Sequence, residues 1–162
     1  MTIKATRIQI NEALNALTAI GEERIGEKGM YRVARLQAKL TSLARAGEAA
    51  RQKIWKNEGG VVNGNSMYLR QPVKKEGETP EAFHLRMVEH DEKLTRIQDA
   101  QDAHFEEEEE ISYDPIPVEL LKPANPEKDA EGKEKKFGLP ANVLAPLIDL
   151  FLVEKEEPKS TG

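Results

Sequence analysis

Val33-Ala34-Arg35-Leu36-Gln37-Ala38-Lys39-Leu40-Thr41-Ser42-Leu43, continued by Gly47, Ala50 and Ile54, sets small or apolar residues at alternating steps of three and four over more than three heptads. That spacing lines one face of a long helix. Leu36, Leu40 and Leu43 demand an interdigitating apolar partner, whereas Gly47 and Ala50 let a second helix come close. Upstream, Ile10, Ala13, Leu14, Leu17 and Ile20 repeat the pattern and predict a first helix over residues 6 to 20, ended by Gly21 or by the turn from Gly26 to Gly29. Downstream, Asn57 to Gly60 stop the long helix, and Asn63-Gly64 stands between the short apolar runs 61–62 and 67–69, a hairpin signal. After a polar loop from Gln71 to Glu78, Thr79-Pro80-Glu81 opens a third helix with a capping hydroxyl, a proline at the first helical position and a carboxylate near the positive helix end.

Charge selects the pairing of these helices. Between Lys28 and Lys56 eight basic residues face Glu48 alone, and between Pro80 and Glu110 eleven acidic residues face three basic ones, so a net charge of −5 conceals one basic and one acidic helix. The reading is a mainly α fold: an antiparallel, coiled-coil-like helical hairpin with an N-terminal helix, a short β-hairpin or extended segment, and a short C-terminal helix. Residues 1–105 form the hairpin unit with a glycine-rich tip insert at 57–79. Residues 106–153 hold an extended segment, a mobile insert at 122–137 and the last helix, and residues 154–162 are a disordered tail. Pro115 and Pro117 restrict residues 111–118 to coil or a sheet edge. A strand at 109–113 would pair with the 61–69 region. Asn142 caps the C-terminal helix, and Val143, Leu144, Leu147, Ile148, Phe151 and Leu152 form its apolar face. An isolated hairpin buries little apolar area, so a homo-oligomer, a dimer, is expected.

Composition removes several chemistries. With 162 residues the chain accommodates one domain and an appendage. Zero cysteines exclude a disulfide framework, a thiolate metal site and a cysteine nucleophile. Neither a run of ~18 apolar residues nor a cleavable leader is present, so a cytoplasmic protein without membrane contact is expected. Gly59, Gly64, Asn65 and Ser66 approach a phosphate-binding loop, but the lysine is missing and the preceding element is a helix end, so a glycine-requiring turn is the better reading. Glu81 and His84 form a Glu-x-x-His step without a second copy elsewhere. His90 and His104 lie fourteen residues apart on one stripe, about 21 Å along a helix, and are read as polar layers that fix register. Ser42, Ser66, Ser112 and Ser160 have no nucleophile-elbow context. Catalytic residues, metal ligands and cofactors are therefore all expected to be absent, and the protein not to be an enzyme.

The opening Ile10 to Leu17, the Met30-Tyr31-Arg32-Val33-Ala34-Arg35 start of the second helix, the acidic third helix running into Glu110-Ile111, the Val118-Glu119-Leu120 step and the Leu-rich closing helix together resemble a group of small phage and prophage proteins. The resemblance implies origin and the helical order, departs at 59–78 and 122–137, and carries over no site residues. The function expected is that of a phage accessory protein acting by non-catalytic binding, which inhibits a host protein or sequesters an anionic host molecule. Arg32, Arg35, Lys39 and Arg45 are the candidate ligand-binding residues, although they span several helix faces, because Arg forks bond phosphate strongly. A structural or assembly protein of the virion is the alternative. The run Glu106 to Glu110 suggests a third class, an acidic nucleic-acid mimic, while the acidic overall balance argues against nucleic-acid binding.

Overall fold

The computed structural model describes residues 1–23, 25–121, 130–132, 141–150 and 152–154. The insert expected at 122–137, apart from 130–132, and the tail beyond 154 lie outside them. The chain is mainly α, in the order β1 (Thr2–Thr6), α1 (Arg7–Gly21), α2 (Glu27–Asn57), β2 (Val61–Asn63), β3 (Ser66–Tyr68), α3 (Pro80–Glu106), β4 (Glu108–Ser112), β5 (Ile116–Pro117), a 3-10 turn (Val118–Leu121), α4 (Ala141–Asp149) and β6 (Val153–Glu154). It divides into two compact units, Met1–Ala44 with Glu108–Gly162, and Arg45–Glu107. One boundary, after Glu107, lies close to the expected one at 105; the other, after Ala44, places residues 1–44 in one unit with the chain after α3, which β1 recruits by backbone pairing.

In the first unit β1 runs antiparallel to β4, with Ile3 opposite Ile111 and Thr6 opposite Glu108. The later strand lies where the sequence predicts one, but its partner is β1, for which the sequence carries no clear signal, and not the 61–69 region. Thr6 ends β1 and caps α1 in a reciprocal box: its hydroxyl accepts from the Gln9 amide at 3.3 Å while its own amide donates to Gln9 Oε1 at 2.9 Å. Ile10, Ala13, Leu17 and Ile20 on α1 then bury together with Val33, Leu36 and Leu40 of α2, Ile111 of β4, Leu121, and Leu147 and Leu152 near the C-terminus. The α2 ladder is thus covered by α1, the strands and the C-terminal segment; none of the cluster's buried residues comes from α3. Apolar burial at roughly 25 cal/mol per Å² outweighs exposed charge pairs of about 0.2–1 kcal/mol each, so the charge complementarity of α2 and α3 does not decide what covers Val33, Leu36 and Leu40. The helix α4 starts at Ala141, so Asn142 lies inside it, not at its cap, and the apolar run ends as β6, which pairs parallel with β5 through Ile116 N donating to Leu152 O at 2.9 Å.

In the second unit the end of α2 and α3 form the antiparallel pair that the sequence predicts. Along α2, Gly47 O bonds His104 Nε2 at 2.9 Å and Trp55 Nε1 donates to Gln101 Oε1 at 3.2 Å, and just past its end Glu58 accepts from Arg96 Nε and Nη2 at 3.0 and 2.9 Å. Partners descend α3 as positions climb α2. A Schellman motif closes α2, with Gly59 at φ 78°, Gly60 N donating to Trp55 O at 2.8 Å and Gly59 N to Lys56 O at 3.0 Å. β2 and β3 pair Val61 with Tyr68 and Asn63 with Ser66, so the two-residue turn is Gly64-Asn65, one position later than the Asn63-Gly64 signal. Gly64 supplies its positive φ of 60°. Thr79 caps α3 by accepting from Ala82 N at 3.2 Å, and Pro80 opens the helix.

The polar loop before α3 is pinned. Arg86 donates to both Glu78 carboxylate oxygens at 2.6 and 2.7 Å and to Val73 O at 2.8 Å, and Glu78 also accepts from Lys75 N at 2.9 Å. The Arg86 guanidinium first, and the Lys75 amide second, lower the Glu78 carboxyl to about 2 from the ordinary 4.5. Since the folded value lies below the unfolded one, the anchoring is complete above about 4.5 and is lost as pH falls through about 2. Carbon NMR of the Glu78 carboxyl is expected to titrate near that lower value; a midpoint at the ordinary carboxylate value would show the anchor to be absent in solution.

Candidate anion-binding groove

The positions 32, 35 and 39 of α2 fall within about 60° of one another at 3.6 residues per turn, whereas Arg45 is rotated by about 120° from Lys39. The structure accordingly brings Arg32, Arg35 and Lys39 to one groove of about 260 Å³ in the first unit and leaves Arg45 exposed and outside it. Arg45 therefore stands apart from Arg32, Arg35 and Lys39, which share one face.

The opposite wall is Ser112, Tyr113 and Asp114, the end of β4 and the residues after it, with Met1 at one side and Leu36 beneath. Backbone pairing fixes this wall, because Tyr113 N donates to Met1 O at 2.9 Å. Lys39 Nζ donates to Ser112 O, tying α2 to the wall. Tyr113 buries its ring and directs its hydroxyl to Leu150 O at 3.3 Å. Burial pushes its phenol up, so it is a protonated strut. Arg32 and Arg35 make no hydrogen bond or ion pair among the described residues. Three cationic side chains against the single carboxylate of Asp114 give the groove a positive balance.

The chemistry these groups offer is recognition. Guanidinium forks present paired donors to phosphate or carboxylate oxygens, and an ammonium adds a point charge. Ser112 is the one aliphatic hydroxyl in the lining, and it faces Thr2 Oγ1 at 3.4 Å; no imidazole stands beside it to act as base. Ser112, Tyr113 and Asp114 carry no signal of this role in the sequence, because only the β1–β4 register brings them to α2. Elsewhere, Glu81 and His84 are exposed, and no group of metal-ligating side chains assembles among the described residues. Buried His104 serves the helix pair through Gly47 O. No helix among the described residues is long and apolar enough to cross a membrane.

Comparison with protein-family models, with curated proteins and with solved structures finds no match to this chain.

Proposed function

We propose that this chain is a non-catalytic binding protein that holds a small anionic molecule of the phosphate class in the groove of its first unit. The observation that carries the reading is the pair Arg32 and Arg35, unpartnered among the described residues and turned, with Lys39, toward one cavity. Unpaired guanidinium groups on one helix face offer fork-shaped donors to an anion without an ion pair having first to be broken, so only the ordering of the two side chains opposes binding. Of the two modes open to a phage accessory protein, blocking a host protein or sequestering a host molecule, a concave site of about 260 Å³ favours the second. Sequestration needs affinity without turnover, which suits a site built around guanidinium donors with no imidazole in its lining.

Titration calorimetry with inorganic phosphate and a phosphomonoester tests the reading. Binding is expected to weaken with added salt, and each of Arg32→Ala and Arg35→Ala to reduce affinity by about tenfold or more, since a charge-assisted hydrogen bond contributes about 1.5–3 kcal/mol. The ligand should be recovered chemically unchanged. Affinity that is indifferent to both substitutions, or conversion of the phosphomonoester, would overturn the proposal.

A further inference from the structure

We propose that the second unit carries a separate site for an organic phosphate, in the cleft between the loop after β3 and the middle of α3. The cleft has a volume of about 730 Å³, within the roughly 300–1,000 Å³ of small-molecule sites and well above that of the groove on the first unit. Five basic side chains line it against two acidic ones. Their engagements sort them. Arg86 is held by Glu78 and Val73 O, and Glu58 by Arg96, so both serve the scaffold. Lys93 reaches Glu89 only at 3.4 Å. Arg70 and Lys74 make no hydrogen bond or ion pair among the described residues, and they ride on the loop that Arg86 and Glu78 pin. Their positive charge is therefore uncompensated, and the backbone that carries them is held on one side of the cleft.

At the inner wall stands His90. Its side chain is 12% exposed, and neither ring nitrogen has a hydrogen-bond partner although both are closed off from solvent. The nearest carboxylate oxygen, Asp91 Oδ1, lies 3.5 Å from Nδ1, too far for a good hydrogen bond. Buried polar atoms are almost always satisfied, so an unsatisfied imidazole facing a cationic cleft marks a place where an acceptor oxygen belongs. Val61 and Leu69 add an apolar wall that inorganic phosphate alone would leave unused. A phosphate on an organic body matches all three features: its oxygens meet Arg70 and Lys74 and, once the imidazole turns over so that a nitrogen takes the place of a ring carbon at the cleft, His90, and its body covers Val61 and Leu69.

Adenosine monophosphate, inorganic phosphate and adenosine serve as probes, followed by NMR at the His90 imidazole, which reports this cleft and not the groove of the first unit. The nucleotide is expected to shift the His90 resonances and to bind at least tenfold more tightly than either of its halves. Arg70→Glu/Lys74→Glu should lower that affinity tenfold or more without changing phosphate binding at Arg32 and Arg35. His90→Gln, which keeps a polar side chain of similar reach, should lower it less. Unmoved His90 resonances, a nucleotide that binds no better than phosphate, or an affinity that responds to Arg32→Glu/Arg35→Glu and not to the cleft variants would each overturn the proposal.

Discussion

Leu40→Ala is expected to destabilise the first unit by about 2–5 kcal/mol, the range for truncating a fully buried leucine. Leu40 is 0% exposed and belongs to the cluster that joins α1, α2, β4 and the C-terminal residues. Its loss removes transfer free energy and leaves a cavity that residues from four elements cannot close by moving independently. Leu43, only partly buried against the same cluster, should cost less when truncated. Urea unfolding followed by circular dichroism gives the stability change. The single tryptophan, Trp55, sits in the second unit and bonds Gln101, so its fluorescence reports that unit separately. An unfolding midpoint of Leu40→Ala equal to that of the parent would show that this stripe is not a core.

The difference between the partner expected for Leu40 and the one found shows where the sequence is informative. A three-four ladder states that one helix face is covered, and at Val33, Leu36 and Leu40 it is. It does not say by what. Local signals survived well: Thr79 and Pro80 open α3, Gly59 and Gly60 close α2, and Ile116, between Pro115 and Pro117, lies in a two-residue strand of a two-stranded pair. Each of these depends on atoms within a few residues. The pairings of β1 with β4 and of β5 with β6 depend on register between segments far apart in the chain, for which five-residue and two-residue strands offer little pattern. In β1 only Ile3 and Ala5 alternate with polar residues, too short a run to be told from a helix lead-in.

The site was legible to the same degree. Arg32, Arg35 and Lys39 were nameable because i, i+3 and i+7 positions follow from helical geometry alone, and that geometry also removes Arg45. The groove's other wall was not nameable, because Tyr113 and Asp114 reach α2 only once β1 and β4 have paired. In the second unit the stretch 71–78 reads as a polar loop, and its charges look solvated. What brings Arg70 and Lys74 to the rim of one cleft is the loop held by the Arg86 clamp on Glu78 and Val73 O, eight and thirteen residues away, a spacing that no local rule highlights.

Gly29→Ala is expected to destabilise the first unit by about 1–3 kcal/mol or more, against the direction that helix propensity would suggest. Gly29 lies in the first turn of α2, where the sequence suggested only a turn residue; alanine there would by propensity alone gain about 1 kcal/mol. A Cβ at this position, however, would stand 1.9 Å from the Leu120 carbonyl oxygen and 2.9 Å from its carbon. Those are backbone atoms of the 3-10 turn Val118–Leu121, and the turn is fixed on one side by Leu121, 2% exposed in the core, and on the other by β5. Relief therefore requires moving α2 against the turn and loosening the contacts of Leu121 and Ile116. Gly21→Ala supplies the control, because nothing lies within 4 Å of a Cβ there and its φ is not in the left-handed region, so propensity should act alone and leave stability equal or slightly raised. Chemical denaturation of the two variants side by side separates the effects. Equal midpoints for both would mean that the close approach of the Leu120 carbonyl to α2 is not present in solution, and with it the seating of the 3-10 turn on the helix that carries Arg32 and Arg35.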